Sequence, residues 1–133
     1  MAQCCPGAVQ LGVAELREHR FGIAAGGFGT VGPAAGNTVY GVLWRLTPPD
    51  LAALDGFEGV ADNFYQRHTA AVHTPDGGVL EAMIYQPTDD SPGRAAPGYV
   101  ERIVEVAGLL HFPQAYIVGL RGLRNQRAEA DSQ

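Results

Sequence analysis

The chain has 133 residues, 46% of them hydrophobic and 17% charged, with a formal net charge of −5. That length fits one domain able to bury roughly two-thirds of its unfolded surface, and the composition excludes a disordered chain. The acidic balance argues against nucleic acid as a partner. All nine cations are Arg, which excludes Schiff-base chemistry and a phosphate-loop lysine.

The opening residues lack the basic flank and apolar run of a secretory signal. Cys4 and Cys5 are sequence neighbours, which rarely bridge each other, and are read as two thiols in a reducing, cytoplasmic setting. A Cys-Pro-Gly turn and a mixed, charged stretch fill residues 1–20. Phe21–Val31 is small and apolar, with Gly26, Gly27 and Gly29 placed for close backbone approach beside a pocket or for bulges. Gly36-Asn37 signals a turn. Thr38–Leu46 reads as a strand that is apolar on both alternations, so both of its faces are expected to be covered.

Thr47-Pro48-Pro49-Asp50 then starts a helix. Thr47 caps it, Pro48 suits its first position, and Asp50 stands three residues on, as in a capping box. Leu51, Leu54 and Phe57 form its apolar stripe, and Gly59 stops it in a left-handed conformation. Tyr65–Thr74 and Val79–Pro87 are paired strands joined by the turn Pro75-Asp76-Gly77-Gly78. After a polar loop over Pro87–Pro97, Tyr99–Leu110 is helical, with Val100, Ile103, Val104, Ala107 and Leu110 on one face. A second short helix covers Gln114–Leu120. The longest apolar stretch, Val39–Trp44, is far shorter than the ~18 residues of a membrane span, so no membrane partner is expected. The pattern predicts an α+β fold, a small mixed β-barrel with short peripheral helices. Residues 1–123 form its single domain and 124–133 a polar tail.

Candidate chemistry narrows quickly. His68 and His73 are five apart on one strand and so face opposite ways. His19 and His111 have no partner at ligand spacing, so no metal is expected. Ser91 lies in a turn and Ser132 in the tail, and neither sits in a nucleophile elbow. The glycine cluster at 26–29 lacks the ending of a phosphate loop. Asp55 and Glu58 remain, near neighbours on the helix. Glu58 stands at the negative end of the helix dipole between Phe57 and Val60. Both surroundings disfavour its charged form, which raises its pKa and suits it to general-base work. An exposed helix-end Glu is the plain alternative, and Asp55 is assigned a structural role.

Val39-Tyr40-Gly41-Val42-Leu43-Trp44, then Leu54-Asp55-Gly56-Phe57-Glu58-Gly59-Val60 and Tyr65, resembles the gamma-glutamylcyclotransferase family, also described as AIG2-like or BtrG-like. The family pattern is V-x-G-x-x-W, then L-D-x-x-E-G-V, then Y. Ala82-Met83-Ile84-Tyr85, Pro97-Gly98-Tyr99 and Phe112-Pro113-Gln114-Ala115-Tyr116 extend the likeness over roughly residues 5–120. The resemblance implies a barrel with peripheral helices and an enzyme that cyclises a gamma-glutamyl group to 5-oxoproline, releasing an amine or amino acid. It makes Glu58 the general acid/base. It also places Tyr99, Tyr65 and Tyr85 around the substrate, their hydroxyls holding the α-carboxylate or orienting Glu58. Tyr65 and Tyr85 fall on adjacent strands, where they are expected to share a face. The partner implied is a small gamma-glutamyl molecule, bound without a cofactor.

One departure stands out. The family opens with a strand ending in a Tyr-Gly-Ser-Asn type of loop whose backbone N–H groups stabilise the oxyanion. Residues 1–20 hold no such loop, and Met1–Ala8 resembles the family segment that follows it. Met1 is therefore read as an internal methionine, with the first family strand missing. The exposed edge would then favour a homodimer or aggregation, and the chain as given would be nearly inactive. The second function weighed is a non-catalytic family member that uses the barrel as a small-molecule or protein-binding module.

Overall fold

The computed structural model describes residues 5–61, 64–89 and 91–123, except for the side chain of Phe57. In order, its elements are β1 (Val9–Ile23), β2 (Gly29–Arg45), α1 (Pro48–Glu58), β3 (Tyr65–His73), β4 (Val79–Pro87), α2 (Tyr99–Leu109) and α3 (Gln114–Gly122). The strands form one four-stranded sheet in the order β2-β1-β3-β4. β1 meets β3 antiparallel, with Glu15 opposite His73. β3 and β4 pair antiparallel from Tyr65 opposite Pro87 to His73 opposite Val79. The fold is α+β as expected, but the barrel is not found. β2 and β4 end the strand order and the sheet is open. Small barrels close on about five strands or more, and four leave two edges.

The largest difference from expectation lies in the first third of the chain. The charged stretch before residue 20 and the small apolar stretch after it are the arm and tip of a long β1–β2 hairpin. At the tip, Ala24 N–H donates to Phe28 O at 2.9 Å and Gly27 N–H to Ala24 O at 2.9 Å. Gly27 has φ 93° there, which glycine adopts without steric cost. Gly36-Asn37 is not a chain reversal, because both residues lie inside β2. Gly36 has φ 81°, and its N–H donates to Glu18 Oε2 at 2.8 Å. Glu18 itself has φ 60°, so the signal marks an irregularity of the hairpin. From Thr38 to Trp44 every residue is at least half-buried on both alternations, as the apolar run implied.

The chain folds as two compact units, Met1–Arg20 with Pro33–Thr88, and Phe21–Gly32 with Asp89–Gln133. In the first, Cys5, Ala14, Leu16, Val39 and Val72 are buried. The Cys5 thiol points to Asp50 O at 3.4 Å. Cys4 and the tail at 124–133 lie outside the described residues. α1 begins as its sequence says. Thr47 caps it with the reciprocal capping box, Pro48 and Pro49 open it, and Gly59 closes it at φ 70°, ψ 36°. Asp50 is the buried polar or charged residue of this unit among the described residues, 4% exposed. Burial pushes its carboxyl up, but bonds from Thr47 and from the Gly7 N–H outweigh this and hold it below the ordinary value. Leu51 and Leu54 are half-buried on α1. The expected third member of that stripe, the Phe57 side chain, lies outside the described residues.

The β3–β4 turn is tied by Thr74 N–H to Gly78 O at 2.9 Å and by Gly78 N–H to Asp76 Oδ1 at 3.0 Å. In the second unit, Ala107, Ile117 and Leu120 form a buried cluster that packs against Phe21, Ile103, Val104 and Phe112. α2 thus buries the face its i, i+3, i+4 spacing marked. Among the described residues, no helix is long and apolar enough to cross a membrane.

Candidate functional site

Glu58 is the last residue of α1. Its place follows from Gly59, whose left-handed backbone ends the helix while its N–H returns to Asp55 O and Gly56 O. The last turn carries no basic residue. Glu58 is half-buried, and loss of solvent pushes its carboxyl above the ordinary value. This is the direction the sequence predicted. A carboxyl raised in this way can exchange a proton nearer neutral pH than an exposed one.

Asp55 stands one turn earlier and looks toward the β3–β4 hairpin. The Tyr85 hydroxyl donates to Asp55 Oδ1 at 2.5 Å. Arg67 Nη1 approaches Asp55 Oδ2 at 3.5 Å and also contacts Met83 Sδ at 3.7 Å. Burial first, then the bond to Asp55 and the charge of that carboxylate, push the Tyr85 hydroxyl far above its ordinary value. Arg67 opposes this and the Glu58 carboxylate adds to it, so Glu58 is near enough to act on Tyr85. Arg67 and Tyr85 are register partners, and Tyr65 is opposite Pro87. Alternation along the strands therefore puts Tyr65, Arg67 and Tyr85 on one face. Glu58, Tyr65 and Tyr85 thus all belong to the first unit, and the two tyrosines share a face as expected. Arg67 was not singled out from the sequence. Its signal was present in the spacing, two residues after Tyr65 and opposite Tyr85 once the hairpin turn is fixed.

Tyr99 belongs to the second unit. It opens α2 after Gly98, which has φ 78°. Its Oη accepts the Gly29 N–H at 3.0 Å, and its ring meets Phe28 edge-on with centroids 5.3 Å apart. Burial raises its hydroxyl, and the Gly29 N–H partly offsets that. The loop before it is fastened to the hairpin tip by Gly93 N–H to Ile23 O at 3.0 Å and Ala96 N–H to Gly27 O at 2.9 Å. A Cβ on Gly27 would lie 3.1 Å from Ala96 N, and one on Gly29 would lie 2.8 Å from Tyr99 Oη. The small residues at 26–29 therefore do permit close backbone approach. Ser91 sits in the turn read for it, with its N–H donating to Asp89 Oδ1 at 3.2 Å. His68 and His73 are on opposite faces of β3, facing Ile84 and Val79 in register.

A model of the AIG2-like family matches residues 38–120, which include Glu58, Tyr65, Tyr85 and Tyr99. A gamma-glutamylcyclotransferase of Bos taurus is 28% identical over 104 residues, 71% of this chain and 55% of that protein. One of Mus musculus is 29% identical over 98 residues, 74% of this chain and 52% of that protein. The chain thus spans about half the length of the curated relatives it matches. Among solved structures, a gamma-glutamyl cyclotransferase superposes with a TM-score of 0.80 at 23% identity, over 90% of this chain and 77% of that one. The uncharacterized protein loc79017 from Homo sapiens gives a TM-score of 0.80 at 24% identity over the same shares. These structural likenesses show the fold. The family match runs over more than half of the chain, and the protein belongs to the AIG2-like family, with gamma-glutamylcyclotransferases as its curated relatives.

Proposed function

We propose that the protein is a gamma-glutamyl cyclotransferase-type enzyme that closes a gamma-glutamyl group to 5-oxoproline and releases an amine or amino acid, with Glu58 as general acid/base. The observation that carries this reading is Glu58 itself. It ends α1 in the L-D-x-x-E-G-V setting, half-buried, with its carboxyl raised by loss of solvent. The curated relatives by name supply the reaction class.

The chemistry asks little else of the protein. Glu58 takes a proton from the substrate's α-ammonium. The freed amine attacks its own γ-carbonyl, a C–N bond forms within a five-membered ring, and the bond to the leaving nitrogen breaks. Glu58 returns the proton to that nitrogen, and the second proton that the ring nitrogen sheds on becoming a lactam N–H goes to the released amine, which departs as its ammonium ion. Nucleophile and electrophile belong to one molecule, so holding the glutamyl chain folded supplies the proximity term, which can reach effective molarities of about 10⁵ M and above. No external nucleophile is needed. Tyr65, Tyr85 and Tyr99 are proposed around the glutamyl group on the family resemblance, their hydroxyls holding its α-carboxylate or orienting Glu58. The Tyr99 assignment rests on that resemblance alone.

The test is product identity. A gamma-glutamyl dipeptide is incubated with the protein and followed by NMR. Appearance of 5-oxoproline with an equal amount of free amino acid supports the reading. Free glutamate instead would mean hydrolysis and refute cyclisation. Saturable binding with the dipeptide left intact would favour a non-catalytic binding module.

A further inference from the structure

We infer that Tyr85, Asp55 and Arg67 form a clasp fixing the last turn of α1 on the β3–β4 hairpin, which makes Tyr85 and Arg67 positioning residues for the Glu58 carboxyl. The inference rests on the reading of Glu58 as acid/base and adds to it two side chains that act through a third.

The last turn of a helix is its least constrained part, since the final carbonyls have no intrahelical partners. Backbone bonds from Gly59 and Val60 close this turn locally, the Val60 N–H reaching Asp55 O at 3.0 Å. The Phe64 N–H, just before β3, reaches Gly59 O at 3.0 Å, and Phe64 O accepts the Thr88 N–H at 3.0 Å, so the backbone joins the residue after α1 to the foot of the hairpin. Inside the turn, Asp55 adds a side-chain tie to the strands. One of its oxygens accepts from the Tyr85 hydroxyl at 2.5 Å and the other faces Arg67 Nη1 at 3.5 Å. Two anchors on the two oxygens of one carboxylate fix its rotation as well as its position. Both anchors come from one face of the hairpin, because Arg67 and Tyr85 are register partners. Asp55 and Glu58 are three residues apart and so neighbours on the helix surface. A displacement of Asp55 is therefore passed to Glu58.

Tyr85 cannot serve in two places with one proton. Its hydroxyl has a single donor, and that donor points at Asp55. Binding a substrate carboxylate needs a donor as well, so Tyr85 works through Asp55 and not on the substrate. Arg67 is the weaker anchor. Its side chain is 41% exposed, and an exposed ion pair alone holds little. Its part is to keep the second carboxylate oxygen turned toward the hairpin.

The test measures kcat and KM for 5-oxoproline release from a gamma-glutamyl dipeptide by the full chain. Tyr85→Phe should lower kcat by about 10- to 100-fold while KM stays within about twofold, as expected for misplacement without lost substrate contact. Arg67→Met should lower kcat less, and Arg67→Lys should recover most of that loss. In a Glu58→Gln background, Tyr85→Phe should cause no further loss, since the clasp acts only through Glu58. A Tyr85→Phe variant with raised KM and unchanged kcat would overturn the inference, because Tyr85 would then touch substrate. Arg67→Lys as slow as Arg67→Met would overturn Arg67's share. Should Tyr85→Phe fail to fold, the two Arg67 variants decide, as they change a surface side chain. Glu58→Gln run alongside separates the two levels: full activity there removes the acid/base reading itself and the clasp with it. A slow Glu58→Gln with a pure KM effect in Tyr85→Phe removes the clasp alone.

Discussion

Gly93→Ala tests how the segment leading to α2 is held. Gly93 is buried, and its N–H donates to Ile23 O at 3.0 Å. Pro92 beside it forms an isolated bridge with Ala24. A Cβ at Gly93 would fall inside contact distance of Ala24 O and lie 2.7 Å from Ala25 Cα. These are backbone atoms, so no rotamer change relieves the overlap. The segment must back away, losing the bond to Ile23. Overpacking of about 1–3 kcal/mol and a lost hydrogen bond of about 0.5–1.5 kcal/mol give a destabilisation of about 2–4 kcal/mol. At this chain length each kcal/mol moves the midpoint by about 4 °C, so Tm should fall by roughly 8–15 °C. Thermal unfolding followed by far-UV circular dichroism reads it. Gly26→Ala is the control, because a Cβ there meets nothing within 4 Å. It should shift Tm by no more than about 2 °C. A Gly93→Ala protein that melts with the wild type, or a control that falls equally far, would refute the reasoning.

Thr47→Ala removes the side-chain half of the capping box and should cost about 1 kcal/mol, within the usual ~0.5–2, read as a lower denaturation midpoint at unchanged m-value. Glu58→Gln should change the pH dependence of stability. Burial raises the Glu58 carboxyl in the folded chain above its ordinary 4.5, so the folded state holds that proton more tightly than the unfolded one. This contribution is full below the unfolded value and is lost as pH rises through the raised folded value. The uncharged variant should therefore melt with wild type near about pH 4 and above it near about pH 8, and the opposite order would contradict the buried-carboxyl account. Tyr99→Phe deletes the acceptor for the Gly29 N–H, leaving the half-buried ring in place. A lost bond to a charged substrate group is worth about 1.5–3 kcal/mol, so a raised KM is expected in a gamma-glutamyl dipeptide assay. An unchanged KM would limit Tyr99 to the hairpin tip.

What was legible in the sequence was local. The start of α1 is written in Thr47, Pro48 and Asp50 and its end in Gly59, each acting within a few residues, and the boundaries follow. The β3–β4 hairpin is fixed by Pro75–Gly78, and the apolar stripe of α2 by its own spacing. The β1–β2 hairpin was hidden because its pairing is non-local and its residues carry weak strand signals. Glycines dilute the alternation, and Glu15, Arg17 and Glu18 crowd one arm. Gly36 looked like a chain reversal because a positive φ serves equally in a turn and inside an irregular strand. Closure of the sheet into a barrel was expected and is not confirmed among the described residues, because closure depends on strand count and edge pairing, which no local pattern reports. In the site, Glu58 could be found from helix position and apolar neighbours. The bond between Tyr85 and Asp55 joins residues 30 apart, and Arg67 enters only through register. Both appear once the hairpin is paired and α1 is laid against it.

The most direct test of the acid/base role compares the rate of 5-oxoproline formation by wild type and Glu58→Gln across pH, with a gamma-glutamyl dipeptide as substrate. Wild type should lose rate on acidification through a value above that of an ordinary carboxyl, because Glu58 must be ionised to take the α-ammonium proton. Glu58→Gln should fold and be slower by about 10²–10⁴-fold, without that acid limb. A variant within about threefold of wild type, or one that keeps the same acid limb, would contradict Glu58 as the proton-transfer group.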